Sequence, residues 1–239
     1  GYRRGMPSAA EIIGGNGKGM NIKGVIFDFD GTLFDSMYIW DNVGEDYLRS
    51  LGKEPEPFLG DTIKTMSMHQ AALYFKDHYD LGLTVEEMIC GVNKMTENCY
   101  IHDIQPKPGV IAFVNELKQA GMDVCIATAT DRYLIDAALK RCGMEGMFSE
   151  IFTCSQVGHG KDEPFIYRRA LEFLGTTRSN TMVFEDSYHA ARTAKNDGFM
   201  VSAVFDISER RQEEMKNMCD CYITDFAHTD PFWKFASAK

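Results

Sequence analysis

No stretch of 18 consecutive apolar residues occurs in the 239-residue chain, so no segment reads as a helix crossing a bilayer. Basic residues are in the minority, 25 against 35 acids, for a formal net charge of −10. A nucleic-acid binder would normally carry a basic face, so the balance argues against that class. Soft-metal patterns are missing too. The seven cysteines (Cys90, Cys99, Cys125, Cys142, Cys154, Cys219 and Cys221) are odd in number and scattered, and the Cys219-x-Cys221 pair stands apart from other soft ligands. They read as buried reduced thiols, which suits the cytoplasm. Near the N-terminus no apolar core of a signal peptide appears. Against these absences stand 44% hydrophobic and 12% aromatic residues, too many for a mainly disordered chain. A chain of this length buries roughly 72% of its unfolded surface, enough for one large domain or a core plus a small satellite.

Residues 1–19 are Gly-rich with little apolar periodicity, and read as a flexible leader or an expression remnant before Met20. Gly17-Lys18 would close a P-loop, but Ile12 stands where that motif needs glycine and Gly19 where it needs Ser or Thr. From residue 23 a rhythm begins. Val25-Ile26-Phe27 is a short apolar run ending in acids, as expected of a strand buried on both faces. Similar runs recur at 123–128, 150–154, 181–184, 200–205 and 221–224. Helical spacing falls between them, at 109–120, 132–142, 164–174, 188–197 and 208–218, several ending at glycine. Such alternation predicts an α/β fold, a Rossmann-like parallel sheet flanked by helices. Residues 37–105 break the rhythm. They hold helical patterns near 36–50, 67–79 and 84–99 but no buried strand, and predict an inserted all-helical cap. The core then comprises 20–36 and 106–239.

The first strand runs into Asp28-Phe29-Asp30-Gly31-Thr32-Leu33. Open α/β sheets bind ligands beyond the carboxyl ends of their strands, so both carboxylates stand where chemistry occurs. Two anions held close repel, and tolerate it best with a cation between them. Other strand ends add to the set: Thr128 with Ala129 and Thr130, then Glu185-Asp186, with Lys161 in a glycine-flanked loop between them. In a parallel sheet all four clusters meet at one edge. Clustered carboxylate oxygens suit Mg²⁺, which shares its coordination with substrate phosphate, while Thr128 and Lys161 suit the remaining phosphate oxygens.

DFDGTLFDS resembles the first signature of the haloacid dehalogenase superfamily, and Thr128, Lys161 and Glu185-Asp186 fall in order as the other three. The resemblance covers about 22–225. The helical insertion resembles the C1-type cap of the branch containing phosphoglycolate phosphatase and β-phosphoglucomutase. This likeness implies that Asp28 is a nucleophile forming an aspartyl-phosphate and that Asp30 is the general acid and base. It further implies that Asp28, the main-chain carbonyl of Asp30 and Asp186 hold Mg²⁺, with Glu185 as a direct or water-bridged partner. Thr128, Ala129 and Lys161 would bind the phosphoryl group. One departure is Ala190, where a glycine is usual after the acidic pair. His159 and His189 lie near site loops and read as ordinary histidines.

The expected activity is hydrolysis of a small phosphomonoester, by a monomer with no nucleic-acid or membrane partner. A β-phosphoglucomutase-like mutase is the alternative. Mutases of that branch carry a cap histidine where Trp40 stands and an arginine where Met68 aligns, which weighs against it. Trp40, Met66 and Met68, with Thr65, Ser67, Tyr38 and Phe58 nearby in sequence, form an uncharged strip that predicts a substrate with few charges besides its phosphate.

Overall fold

A computed structural model describes residues 19–238. All but the last residue of the leader expected over 1–19 therefore lies outside the described residues. Six strands form one parallel sheet: β1 (Gly24–Phe27), β4 (Asp123–Thr128), β5 (Ile151–Thr153), β6 (Thr181–Glu185), β7 (Met200–Val204) and β8 (Cys221–Ile223). Their order is β5-β4-β1-β6-β7-β8, so the chain winds outward on both sides of a central β1. Strand periodicity explains the two faces. Val25, Phe27, Val124, Ile126, Met182 and Phe184 point into one core, and Ile26, Cys125, Ala127 and Val183 into the other.

The first face is aromatic. Phe27 stacks on Phe184 at 4.8 Å, and Phe113, Phe226, Phe232 and Trp233 close around them. It is covered by α6 (Val110–Gln119), α7 (Arg132–Arg141) and α12 (Asp230–Ala236). The second face packs small side chains of α9 (Phe165–Leu174) and α10 (Tyr188–Asn196), with Ala170, Ala191 and Ala194 all buried.

Register sets the site. Phe27 lies level with Ile126 on one side and Phe184 on the other, and the next amide, Asp28 N, donates to Phe184 O at 3.0 Å. Asp28, Ala127–Thr128 and Glu185 thus emerge at one edge of the sheet.

Between two short strands, β2 (Phe34–Asp35) and β3 (Gln105–Pro106), the chain is helical. These strands pair antiparallel and draw both ends of the insertion together. Its helices are α1 (Met37–Trp40), α2 (Val43–Ser50), α3 (Leu59–Ile63), α4 (Met68–His78) and α5 (Val85–Asn98), followed by a π-helical turn, Cys99–Asp103. Capping boxes Ser67/Gln70 and Thr84/Glu87 start α4 and α5. Val43, Leu48, Leu59, Phe75, Met88 and Val92 give the insertion its own apolar cluster.

Five elements differ from the sequence expectation. The paired strands β2 and β3 and the helices α3 and α12 are additional; two-residue strands are too short to show a period. The helix expected over 208–218 begins only at α11 (Gln212–Met218). The Asp206 carboxylate accepts from Ser208 N and Oγ, and Glu209 accepts from Tyr188 N and Arg211 N. Such local side-chain bonds compete with a helical turn.

Candidate active site

Asp28 leaves β1 and the backbone folds back immediately. The amides of Thr32, Leu33 and Phe34 all donate to Phe29 O, and Phe29 stacks on Phe34 at 4.4 Å. Gly31 sits at φ +79°, where a side chain would press on Asp186 and Met37. This tight loop turns Asp30 back beside Asp28.

Lys161 reaches the same point from the loop after α8 (Cys154–Val157). Its Nζ donates to Asp28 Oδ1 and to Glu185 Oε1, both at 2.7 Å, and the side chain is almost wholly buried. Burial by itself would depress the ammonium, yet the Asp28 and Glu185 carboxylates hold its pKa above the ordinary lysine value. Tyr167 also donates to Glu185 Oε1, at 2.7 Å. Glu185 Oε2 is buried with no partner. Asp186 Oδ1 accepts from Thr32 Oγ1 at 3.0 Å. Burial, reinforced by the Asp28 charge, pushes both Glu185 and Asp186 upward.

One lysine cannot neutralise this group. Asp28, Glu185 and Asp186 each bring a carboxylate oxygen within 4.8 Å of the others. Three converging hard donors, with a buried Glu185 oxygen left unpartnered beside them, fit a divalent cation of the Mg²⁺ kind.

Asp30 is held differently. Its carboxylate accepts from Ser36 Oγ and Thr130 Oγ1, both at 2.6 Å, and from Tyr100 Oη. Burial raises its pKa, and the three hydroxyl donors oppose the rise. Thr128 is fully buried, and its Oγ1 accepts from Thr130 N at 3.1 Å. It lies behind the loop; Ala129 and Thr130 face the cavity, while Thr128 is not among the lining residues.

That cavity, about 1030 Å³, lies between the carboxylate cluster and the helical insertion. It exceeds what a phosphate needs and matches sites that take ligands of drug size. Trp40, Phe58, Thr65, Met66, Ser67 and Met68 line it, whereas Tyr38 does not. His189 also lines it; His159 does not, being stacked on Phe165 and bonded to Glu163. Sequence reasoning missed Ser36, Tyr100 and Tyr167 as partners of the acids. Ser36 lies within the DFDGTLFDS run, but nothing local marks the two tyrosines.

A family model of haloacid dehalogenase-like hydrolases matches residues 22–198. The chain belongs to that family. Hexitol phosphatase A of Escherichia coli (strain K12) is 28% identical over 172 residues, 70% of this chain and 76% of its own. A phosphorylated carbohydrates phosphatase of Thermotoga maritima is 25% identical over 177 residues, 74% of this chain and 82% of its own. Among solved structures, CbbY from Rhodobacter sphaeroides in complex with phosphate shares the fold at a TM-score of 0.74 and 22% identity, across 87% of this chain and 96% of that one. No helix of the described residues in this hydrolase is long and apolar enough to cross a membrane.

Proposed function

We propose that the chain is a divalent-metal-dependent phosphatase that hydrolyses phosphomonoesters through an aspartyl-phosphate on Asp28, with residues 37–105 acting as its cap. The observation that carries this reading is Lys161 Nζ, shared at 2.7 Å between Asp28 and Glu185 at the mouth of a cavity large enough for substrate. Asp28, the main-chain carbonyl of Asp30, Asp186 and Glu185 would hold Mg²⁺. Bound there, the cation would screen the repulsion between the nucleophile and the phosphate and draw charge from the equatorial oxygens.

The chain's own residues supply the rest. An Asp28 oxygen attacks phosphorus as the bond to the leaving oxygen breaks, and Asp30 gives that oxygen its proton. Water then attacks phosphorus, Asp30 takes its proton, and the bond from phosphorus to the Asp28 oxygen breaks, which frees the Asp28 carboxylate and inorganic phosphate. Lys161, with the amides around Ala129, holds the phosphoryl oxygens. The mutase alternative is disfavoured because the Trp40 indole N–H is spent on Tyr100 and Met68 offers no charge. Asp41, Glu45 and Asp61 line the outer cavity, where Lys64 is paired with Glu209, Arg211 with Glu214, and Arg210 also stands. The uncharged strip Thr65-Met66-Ser67-Met68 along the same cavity favours a substrate with little charge beyond its phosphate. The seven unpaired cysteines suit a reducing compartment such as the cytoplasm.

Phosphate release from a panel of phosphorylated metabolites tests the reading. Asp28→Asn should lower release by at least about 10³-fold in protein that still folds, and EDTA should abolish wild-type release until Mg²⁺ is restored. Undiminished release by Asp28→Asn would refute the nucleophile assignment. A polyanionic sugar bisphosphate as best substrate would refute the charge argument.

A further inference from the structure

Asp30 is gripped by residues from both ends of the helical insertion. Ser36 and Trp40 lie where the chain enters it and Tyr100 where it leaves. The π-helical turn Cys99–Asp103 presents Tyr100 inward, fully buried, with its ring parallel to Phe29 and edge-on to Trp40. Such wide turns recur where a helix must re-aim one side chain. Arg141 on α7 fastens the turn by donating to Tyr100 O at 3.2 Å.

The hydrogen bond between Trp40 and Tyr100 has only one possible direction. The Trp40 indole is a donor only, and Nε1 donates to Tyr100 Oη at 2.6 Å. With its oxygen accepting that bond, Tyr100 directs its single O–H to Asp30 Oδ1. Ser36 Oγ donates to the same oxygen. Oδ1 thus receives two donors, and a proton placed on it would meet the Tyr100 hydrogen. Asp30 Oδ2 has one neighbour, Thr130 Oγ1, whose hydroxyl can rotate to accept. Thr130 lines the cavity, while Tyr100 and Ser36 do not.

We infer that Tyr100, oriented by Trp40, is a positioning residue for Asp30: it keeps Oδ1 an acceptor and leaves Oδ2, on the cavity side, as the oxygen that passes the proton. This rests on the phosphatase reading above. In the acid step the Oδ2–H bond breaks, its proton joins the leaving oxygen as the P–O bond breaks, and Asp30 remains a carboxylate.

A series of aryl phosphates graded by the acidity of the departing phenol tests it, because a good leaving group departs without a proton. The ratio kcat/KM reports the steps up to leaving-group departure. Tyr100→Phe should lower kcat/KM about tenfold for phenyl phosphate and less than about twofold for 4-nitrophenyl phosphate, a part of the 10²–10⁴-fold that general acid catalysis supplies. Trp40→Phe should bias the series in the same direction by about threefold. A merely structural tyrosine would lower all members alike, and that result, or an unchanged series, would overturn the inference. Unfolding temperatures are read in parallel; if Tyr100→Phe does not fold, the Trp40→Phe series decides. Were wild-type protein to release no phosphate from any aryl phosphate or metabolite, the phosphatase reading itself would fall. An active wild type with a flat variant series refutes only the role of Tyr100.

Discussion

Replacing Lys161 by methionine keeps the length of the side chain and removes the one ammonium among the buried acids. Its Nζ makes two bonds of 2.7 Å, to Asp28 and Glu185, from a side chain only 7% exposed. Removing one partner of a buried ion pair costs about 3–5 kcal/mol, because the remaining charge stays buried without compensation. For a chain of this size each kcal/mol moves the midpoint by about 2–4 °C, so Lys161→Met should unfold about 10 °C below wild type at neutral pH in chelator. The pH dependence has a definite sign. Burial already lifts the folded pKa of Glu185 above its unfolded value, and losing Lys161 lifts it further. The folded variant then binds more protons than the unfolded chain, so its deficit is fully developed at high pH and shrinks as pH falls toward the unfolded carboxylate value. Thermal unfolding followed by circular dichroism, from about pH 8 to about pH 5 in EDTA, reads the difference between variant and wild type. Added Mg²⁺ should narrow it as well. An unchanged midpoint at every pH, or a gap that widens on acidification, would refute the idea that Lys161 neutralises these acids.

Gly160 is where the insertion meets the sheet loops: Thr65 O accepts from Lys161 N at 2.9 Å, and a Cβ on Gly160 would stand 2.5 Å from that carbonyl. Because the obstacle is backbone, Gly160→Ala should push the two apart, displace Lys161 and lower kcat/KM about tenfold; wild-type kinetics would refute this. Asp197 is held by Arg168, at 3.0 and 2.5 Å, and by Arg178 at 3.1 Å, and these guanidinium bonds, Arg168 first, keep its carboxyl below the usual aspartate range. A depressed folded pKa contributes stability above the unfolded value that disappears as pH falls through the folded one. Asp197→Asn should therefore cost about 1 kcal/mol at neutral pH, with the gap to wild type closing below about pH 4 in denaturant titrations. A gap that persists in acid would count against the pair.

The six sheet strands were legible because a strand buried on both faces must be continuously apolar, and a run such as Val25-Ile26-Phe27 shows this locally. The meeting of Asp28, Glu185 and Asp186 has a related reason: residues at the carboxyl ends of neighbouring parallel strands share one edge. Asp30 was visible as an acid, but its surroundings were not. Ser36 lies six residues away, whereas Tyr100 and Thr130 lie 70 and 100 residues away. Thr128 ends β4, where its Oγ1 accepts from the Thr130 amide while Ala129 and Thr130 line the cavity, an orientation that no local pattern gives. Trp40 lines the cavity and also bonds Tyr100, a partner no spacing could suggest.

The sequence by itself determined which segments become the six strands of the main sheet, that these run parallel, that the insertion after the first of them is mainly helical, and which acids stand at the strand ends. These follow from apolar periodicity and chain direction, which act over a few residues. Tertiary structure alone decided how those acids are held: Lys161 bridging Asp28 and Glu185, a buried Glu185 oxygen left without a partner, and Tyr100 swung in by a π-helical turn to fix one oxygen of Asp30. Hydrogen bonds require atoms within about 3 Å of each other. Which distant side chains come that close depends on strand register and on the docking of one set of helices against the sheet, and no local pattern encodes either.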